Sequence, residues 1–206
     1  MAQDRVEIVN RALTRLASAR IMALSDQQKS AKSMDAVYAG TRDSAQKVAN
    51  WNFAIQRFNP QLLTSVPTFG YTREFQIDAN CLRLIQIHDQ YIGAPSLGPR
   101  YHSEAPKPDF QIEGGKILTD FAAPLNCRGV FRTTSEAMWD PLFIDFFIEE
   151  LCIATVHDLT RKGAADVSQF EQARDRRLSI AKLNDAIEEP PEEIPDTSWL
   201  LSRVGP

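Results

Sequence analysis

The sequence predicts a mixed α+β fold: an antiparallel bundle of about four helices with an inserted small antiparallel β-region and an extended C-terminal arm. Three observations predict it. Apolar residues recur with helical period in the first and last thirds of the chain. The middle third loses that period and becomes short β-type runs punctuated by Pro and Gly. The end is acidic and proline-rich, a composition that forms neither helix nor sheet readily.

Residues 1–58 read as a helical hairpin. Val6, Val9, Leu13 and Leu16 form one stripe opposite Arg5, Arg11 and Arg15, and the stripe runs out near Arg20. Ser25 with Gln28 three positions on is a capping-box pattern that predicts the start of a second helix. Met34, Val37/Tyr38, Thr41, Ala45, Val48 and Trp51 carry its period to about Asn52, with Gly40 inside it.

Residues 59–137 read as a β-rich region. Tyr71, Arg73, Phe75 and Ile77 share one strand face, and Thr72, Glu74 and Gln76 take the other. The run CLRLIQIH from Cys81 has strand length. Gly114-Gly115 can supply the positive φ values of a two-residue hairpin turn. That register sets Glu113 opposite Lys116 and Ile112 opposite Ile117, a charge pair and an apolar pair. Residues 93–108, with four prolines and two glycines, read as a long exposed loop, either disordered or a binding element.

Residues 138–187 return to helix and complete the bundle. Asp140-Pro141 is an N-cap followed by proline at the first helical position. A wide apolar face follows, from Phe143/Ile144 to Leu159, and Lys162-Gly163 predicts the helix end. The last helix, about 165–187, is expected to bury Val167, Phe170, Ala173, Ile180, Leu183 and Ile187. Arg174, Arg176, Arg177 and Lys182 are expected largely outside. Residues 188–206 form an extended acidic tail: five acids and three prolines in 188–196, then Trp199, Leu200 and Leu201. Such an arm either docks in a neighbour's groove or folds back on its own core.

Composition narrows the function classes. A chain of 206 residues buries roughly 70% of its unfolded surface and needs no disulfide or metal to fold. Its three cysteines, Cys81, Cys127 and Cys152, are widely spaced, so neither a disulfide framework nor a zinc site is expected. No apolar run reaches membrane-span length and the start lacks a signal layout, so a cytosol-like compartment and no membrane contact are expected. A net charge of −4 disfavours tight wrapping of DNA but suits a surface that DNA slides past.

Catalytic constellations are scarce. His88, His102 and His157 are far apart and match no ligand spacing. There is no G-x-S-x-G, no phosphate-binding glycine loop and no G-x-G-x-x-G. Glu149 and Glu150 are adjacent on a helix and point about 100° apart, so they do not line one small cleft. No enzymatic activity, cofactor or metal is expected. Arg174, Arg176 and Arg177 are a solvated face or pair with acids of a neighbouring subunit, the tail's among them.

The order of parts resembles the head-to-tail adaptor proteins of tailed bacteriophages, the tail tubular protein A family of short-tailed phages. The resemblance is carried by EIVNRALTRLASARIMALSD (7–26), SAKSMDAVYAGTRDSAQKVANWNFAIQR (30–57) and CLRLIQI (81–87). It continues through FQIEGGKILTDFAAPL (110–125), WDPLFIDFFIEEL (139–151) and SWLLSR (198–203), nearly the whole chain. Two departures are local: Ala79-Asn80 replaces a Pro-Asp before the strand, and Cys127-Arg128-Gly129-Val130 lacks an aromatic after the arginine.

The resemblance implies a non-enzymatic connector of the virion neck, assembled in the host cytoplasm. It would form a ring of about twelve copies, which requires a heterologous interface between two different patches of each subunit. One patch is expected on the first two helices and the other on the last two. The partners implied are the portal protein, a tail nozzle like tail tubular protein B, and double-stranded DNA passing without sequence-specific binding. Trp199, Leu200 and Leu201 are expected as anchors toward the portal or an adjacent subunit. Arg174, Arg176 and Arg177 are expected in salt bridges there, and Arg100, Tyr101 and His102 on the tail side. The alternatives are a peptidoglycan hydrolase activated by assembly into the tail, for which the sequence selects no acids, and a helical regulatory module.

Overall fold

The computed structural model describes residues 4–88, 90–92, 109–160 and 164–188. It has the expected α+β class, with four α-helices and two antiparallel sheets among those residues. Helix α1 is Arg5–Arg15, α2 Lys29–Lys47, α3 Pro141–Leu159 and α4 Ala164–Glu188. The strands are β1 Ile55–Phe58, β2 Gln61–Leu62, β3 Arg73–Gln76, β4 Cys81–Ile87, β5 Gln90–Tyr91, β6 Phe110–Glu113, β7 Lys116–Thr119 and β8 Cys127–Phe131. One sheet runs β1-β8-β4-β5 and the other β2-β3-β7-β6.

Helix α3 is the axis of the bundle. Phe146, Phe147, Ile148 and Glu149 are consecutive and all buried, so the central turn of this helix has no side facing water, while Ala154, His157 and Asp158 near its end are exposed. Helices α1, α2 and α4 each pack on it. Asp140 caps its start, Oδ1 accepting from the backbone N–H of Leu142 (2.7 Å) and Phe143 (3.3 Å). Its aromatic side chains lock to the rest of the core. Phe147 meets Tyr38 of α2 and Trp139 edge-on, at 5.3 Å in each case, and Phe143 meets Trp51 at 5.0 Å.

The first sheet lies between the bundle and the second sheet. Ile85 and Val130 join the bundle core on one side, while Leu84, Ile87 and Cys127 join Phe75, Ile117 and Leu125 in a second core on the other. Leu84 and Ile87 lie three apart yet serve the same core, because the β4–β8 register shifts between Leu84 and Gln86. Gly129 is required by this packing. A Cβ there would stand 3.0 Å from both the Arg83 carbonyl oxygen and Cys81 Sγ. The hairpin forms in the expected register, with Glu113 opposite Lys116, Ile112 opposite Ile117, and Gly114 and Gly115 at φ 54° and 76°.

Several local expectations change. The capping box does not form. Asp26 instead accepts from the N–H of Met22 and Ala23 (2.9 and 3.1 Å), and α2 starts only at Lys29, after extended Gln28. Helix α2 stops at Lys47, short of Asn52, because Trp51 folds back and its indole N–H donates to the Ala45 carbonyl at 3.0 Å. Residues 55–58, read with the helical hairpin, are strand β1 paired to β8. Glu74, expected on an open strand face, is buried and accepts from Lys116 Nζ (2.7 Å) and Ser65 Oγ (2.9 Å). Helix α3 ends at Leu159 rather than Lys162, since Thr160 turns extended and its N–H and hydroxyl both donate to the Val156 carbonyl. Helix α1 closes with the left-handed residue Ala17 at φ 53°; the N–H of Ser18 donates to the Leu13 carbonyl and that of Ala17 to the Thr14 carbonyl.

Ala17→Gly therefore relieves a conformation costly to alanine and raises the unfolding free energy by about 1 kcal/mol in urea titrations. Phe147→Ala opens a cavity at the axis of the bundle and lowers it by about 3–5 kcal/mol in the same measurement.

Candidate interaction surface

Helix α3 carries Asp145, Glu149 and Glu150 within its apolar stretch, residues 142–153, and buried carboxylates require cations. Glu149 is fully buried. Arg177 of α4 reaches its Oε1 at 2.8 Å, and Arg15 of α1 pairs with the same oxygen. Arg177 also holds Asp145 Oδ2 at 2.9 Å, while Arg11 of α1 takes Oδ1. Arg174 lies 3.8 Å from Glu150 and 2.9 Å from Asp175. Burial pushes the Glu149 carboxyl above its ordinary range, opposed by Arg15 and Arg177. Burial raises Glu150 too, opposed by Arg174. The arginines expected on the outer faces of α1 thus tie the bundle together: Arg11 and Arg15 bind α3, and Arg5 lies over the Tyr38 ring at 4.2 Å.

This ion-pair layer decides which way α4 faces. Phe170, Arg174, Arg177, Leu178, Ala181 and Asp185 turn toward the bundle. The far end of the helix is held as well. Asp185 Oδ1 accepts from the N–H of Asn52, and its carbonyl accepts from the Asn52 side-chain amide, both at 3.0 Å. Ile180, Leu183 and Ile187 cannot then be inside. They are 58%, 65% and 73% exposed, contrary to the periodicity-based expectation that they are core. The apolar stripe of the C-terminal half is real, but it lies about 135° around the helix from the buried face.

Of the residues expected at interfaces, Arg174 and Arg177 are engaged within the chain, and Arg176 is exposed. Trp199, Leu200, Leu201, Arg100, Tyr101 and His102 lie outside the described residues, as does the 93–108 loop. Sequence reasoning missed the acids Asp145, Glu149 and Glu150 as organisers of α4. The available signal was their presence in a stretch, residues 142–153, with apolar residues on every side of the helix.

Other sites are modest. Arg11, Thr14, Arg15, Arg20, Asp145, Ile148 and Arg177 line an open cleft of about 260 Å³ above the ion-pair layer. A second groove on the outer face of the β2-β3-β7-β6 sheet is bounded by Phe69, Glu74, Lys116 and Leu118. Among the described residues no group of three or more His, Cys, Asp and Glu is placed to hold a metal ion. None of the described helices is long and apolar enough to cross a membrane. Burial pushes the Cys81 thiol up to about 11 and those of Cys127 and Cys152 to about 12, which disfavours their thiolate forms. The sequence matches no protein-family profile and no curated protein.

Arg177→Met keeps the aliphatic stem but leaves Glu149 with one cation, and lowers stability by about 3 kcal/mol where that carboxyl is ionised. Because burial raises the Glu149 pKa, the folded chain takes up the proton before the unfolded chain does, and stability falls as pH rises through that window. The deficit of the variant therefore shrinks on acidification, which urea unfolding at about pH 8 and about pH 5 measures directly.

Proposed function

We propose that this chain is a structural head-to-tail connector of a bacteriophage virion. Copies form a ring of about twelve between the portal protein and the tail nozzle and line the channel through which double-stranded DNA passes. The observation that carries this reading is the exposed row Ile180, Leu183 and Ile187 on a helix held at its middle and near its C-terminal end. Three large aliphatic side chains held outward on a rigid helix are unfavourable in a solitary monomer and favourable in an assembly. The ion-pair layer supports the same reading, because Asp145, Glu149 and Glu150 each face an arginine and act in holding the bundle. A bundle braced in this way suits a stave that must keep its shape under load. The net charge of −4 suits a wall along which DNA moves without adhering.

Mixing the purified protein with a portal ring and imaging by electron microscopy tests this. A collar of added density at one end of the portal is the expected result. The paired substitution Leu183→Asp and Ile187→Asp should leave urea stability within about 0.5 kcal/mol, since both sites are exposed. It should weaken collar formation by about tenfold or more. A chain that stays monomeric and leaves the portal bare contradicts the proposal.

A further inference from the structure

The exposed row of α4 does not begin with Ile180. Arg176 lies one turn earlier on the same face and is also exposed, so positions 176, 180, 183 and 187 form one line about 16 Å long. The line reads cation first, then three aliphatic side chains. The segment that follows α4 reads in the same order with the opposite charge: Glu189, Glu192, Glu193 and Asp196, then Trp199, Leu200 and Leu201. The spacings agree. From Arg176 to Leu183 is about 10 Å along a helix, and from Asp196 to Leu200 is about 13 Å in extended chain.

We propose that the row is the receptor for this C-terminal arm, supplied by a second copy of the chain. Asp196 meets Arg176, and Trp199, Leu200 and Leu201 cover Ile180, Leu183 and Ile187, the arm running in the same direction as the helix. Direction selects the second copy. The chain's own arm leaves α4 beside Ile187, at the apolar end of the row. Folding straight back, it sets Glu189, Glu192 and Glu193 against Ile187, Leu183 and Ile180, where carboxylates lose water and gain no partner. To reach the matched register it must run the length of the row and then reverse. A neighbour's arm enters at Arg176 with no reversal. The arm and the row are different patches, so the contact is heterologous and propagates from subunit to subunit until rotation closes it. The inference rests on the ring-forming reading and names the contact that joins its subunits.

Disulfide trapping in the full-length chain tests it. One chain carries Leu183→Cys and another Leu200→Cys; the two are mixed at millimolar concentration and oxidised, with the parent chain as the blank for Cys81, Cys127 and Cys152. The mixture should give a linked heterodimer about tenfold above the linked dimer of either chain alone, because docking raises the local thiol concentration. Arg176→Glu on the Leu183→Cys chain should cut that yield several-fold, and Asp196→Lys on its partner should restore it. A chain carrying both cysteines should give linked oligomers. An internal loop in that chain, or a mixed yield no higher than the controls, overturns the inference. Portal binding by the same samples separates this from the connector reading. Trapped oligomers that ignore the portal remove the connector and keep the arm contact, whereas portal-bound rings without trapping remove the arm contact alone.

Discussion

The burial of the middle of α3 on every side is the constraint from which the rest of this structure follows. An enclosed turn cannot discharge its polar residues to water, and three of the four acids of α3, Asp145, Glu149 and Glu150, lie in or beside it, whereas Asp158 is exposed. Each of these three is met by a cation brought by a packing partner. Arg11 and Arg15 come from α1, and Arg174 and Arg177 come from α4. The rotation of α4 about its own axis follows these pairs together with the packing of Phe170, Leu178 and Ala181, and Ile180, Leu183 and Ile187 take the orientation that remains. That orientation is outward.

A buried ion-pair layer is a costly way to hold a bundle, since hydrophobic replacements of equal volume are often as stable. Its use here has a consequence that an apolar seam would lack. The aliphatic row of α4 remains available for contact with something else, while the helix keeps its place through Arg177 at its middle and Asp185 near its C-terminal end. The same division of labour holds elsewhere in the chain. The bundle and the first sheet share one core, the two sheets share another, and the surface elements are positioned by both.

What the sequence made legible was local chemistry. The Asp140-Pro141 cap, the Gly114-Gly115 turn and its register, and the CLRLIQI strand depend on residues close in the chain, and each formed as expected. The α+β class followed from them. Features set at long range were not legible. The face that α4 buries depends on acids some thirty residues earlier, so periodicity identified the Ile180–Leu183–Ile187 row and misassigned its side. Ser25 and Gln28 had the right letters for a capping box, but Asp26 was the stronger acceptor and took the neighbouring N–H groups for a turn. Of the site residues, Arg174 and Arg177 were expected on a solvated face or in bridges to a neighbouring subunit or the portal; within this chain both meet acids of α3, and Arg174 also meets Asp175.

The most direct measurement concerns the side of α4 that faces water. In dilute full-length protein, single cysteines at positions 180, 183 and 187 are compared with one at 181 for their rate of alkylation. A helix rotated by the α3 acids predicts rapid labelling at the first three positions and strong protection at Ala181, which is 3% exposed. Protection of the aliphatic row together with free labelling at position 181 would contradict both the rotation of α4 and the surface inferred from it.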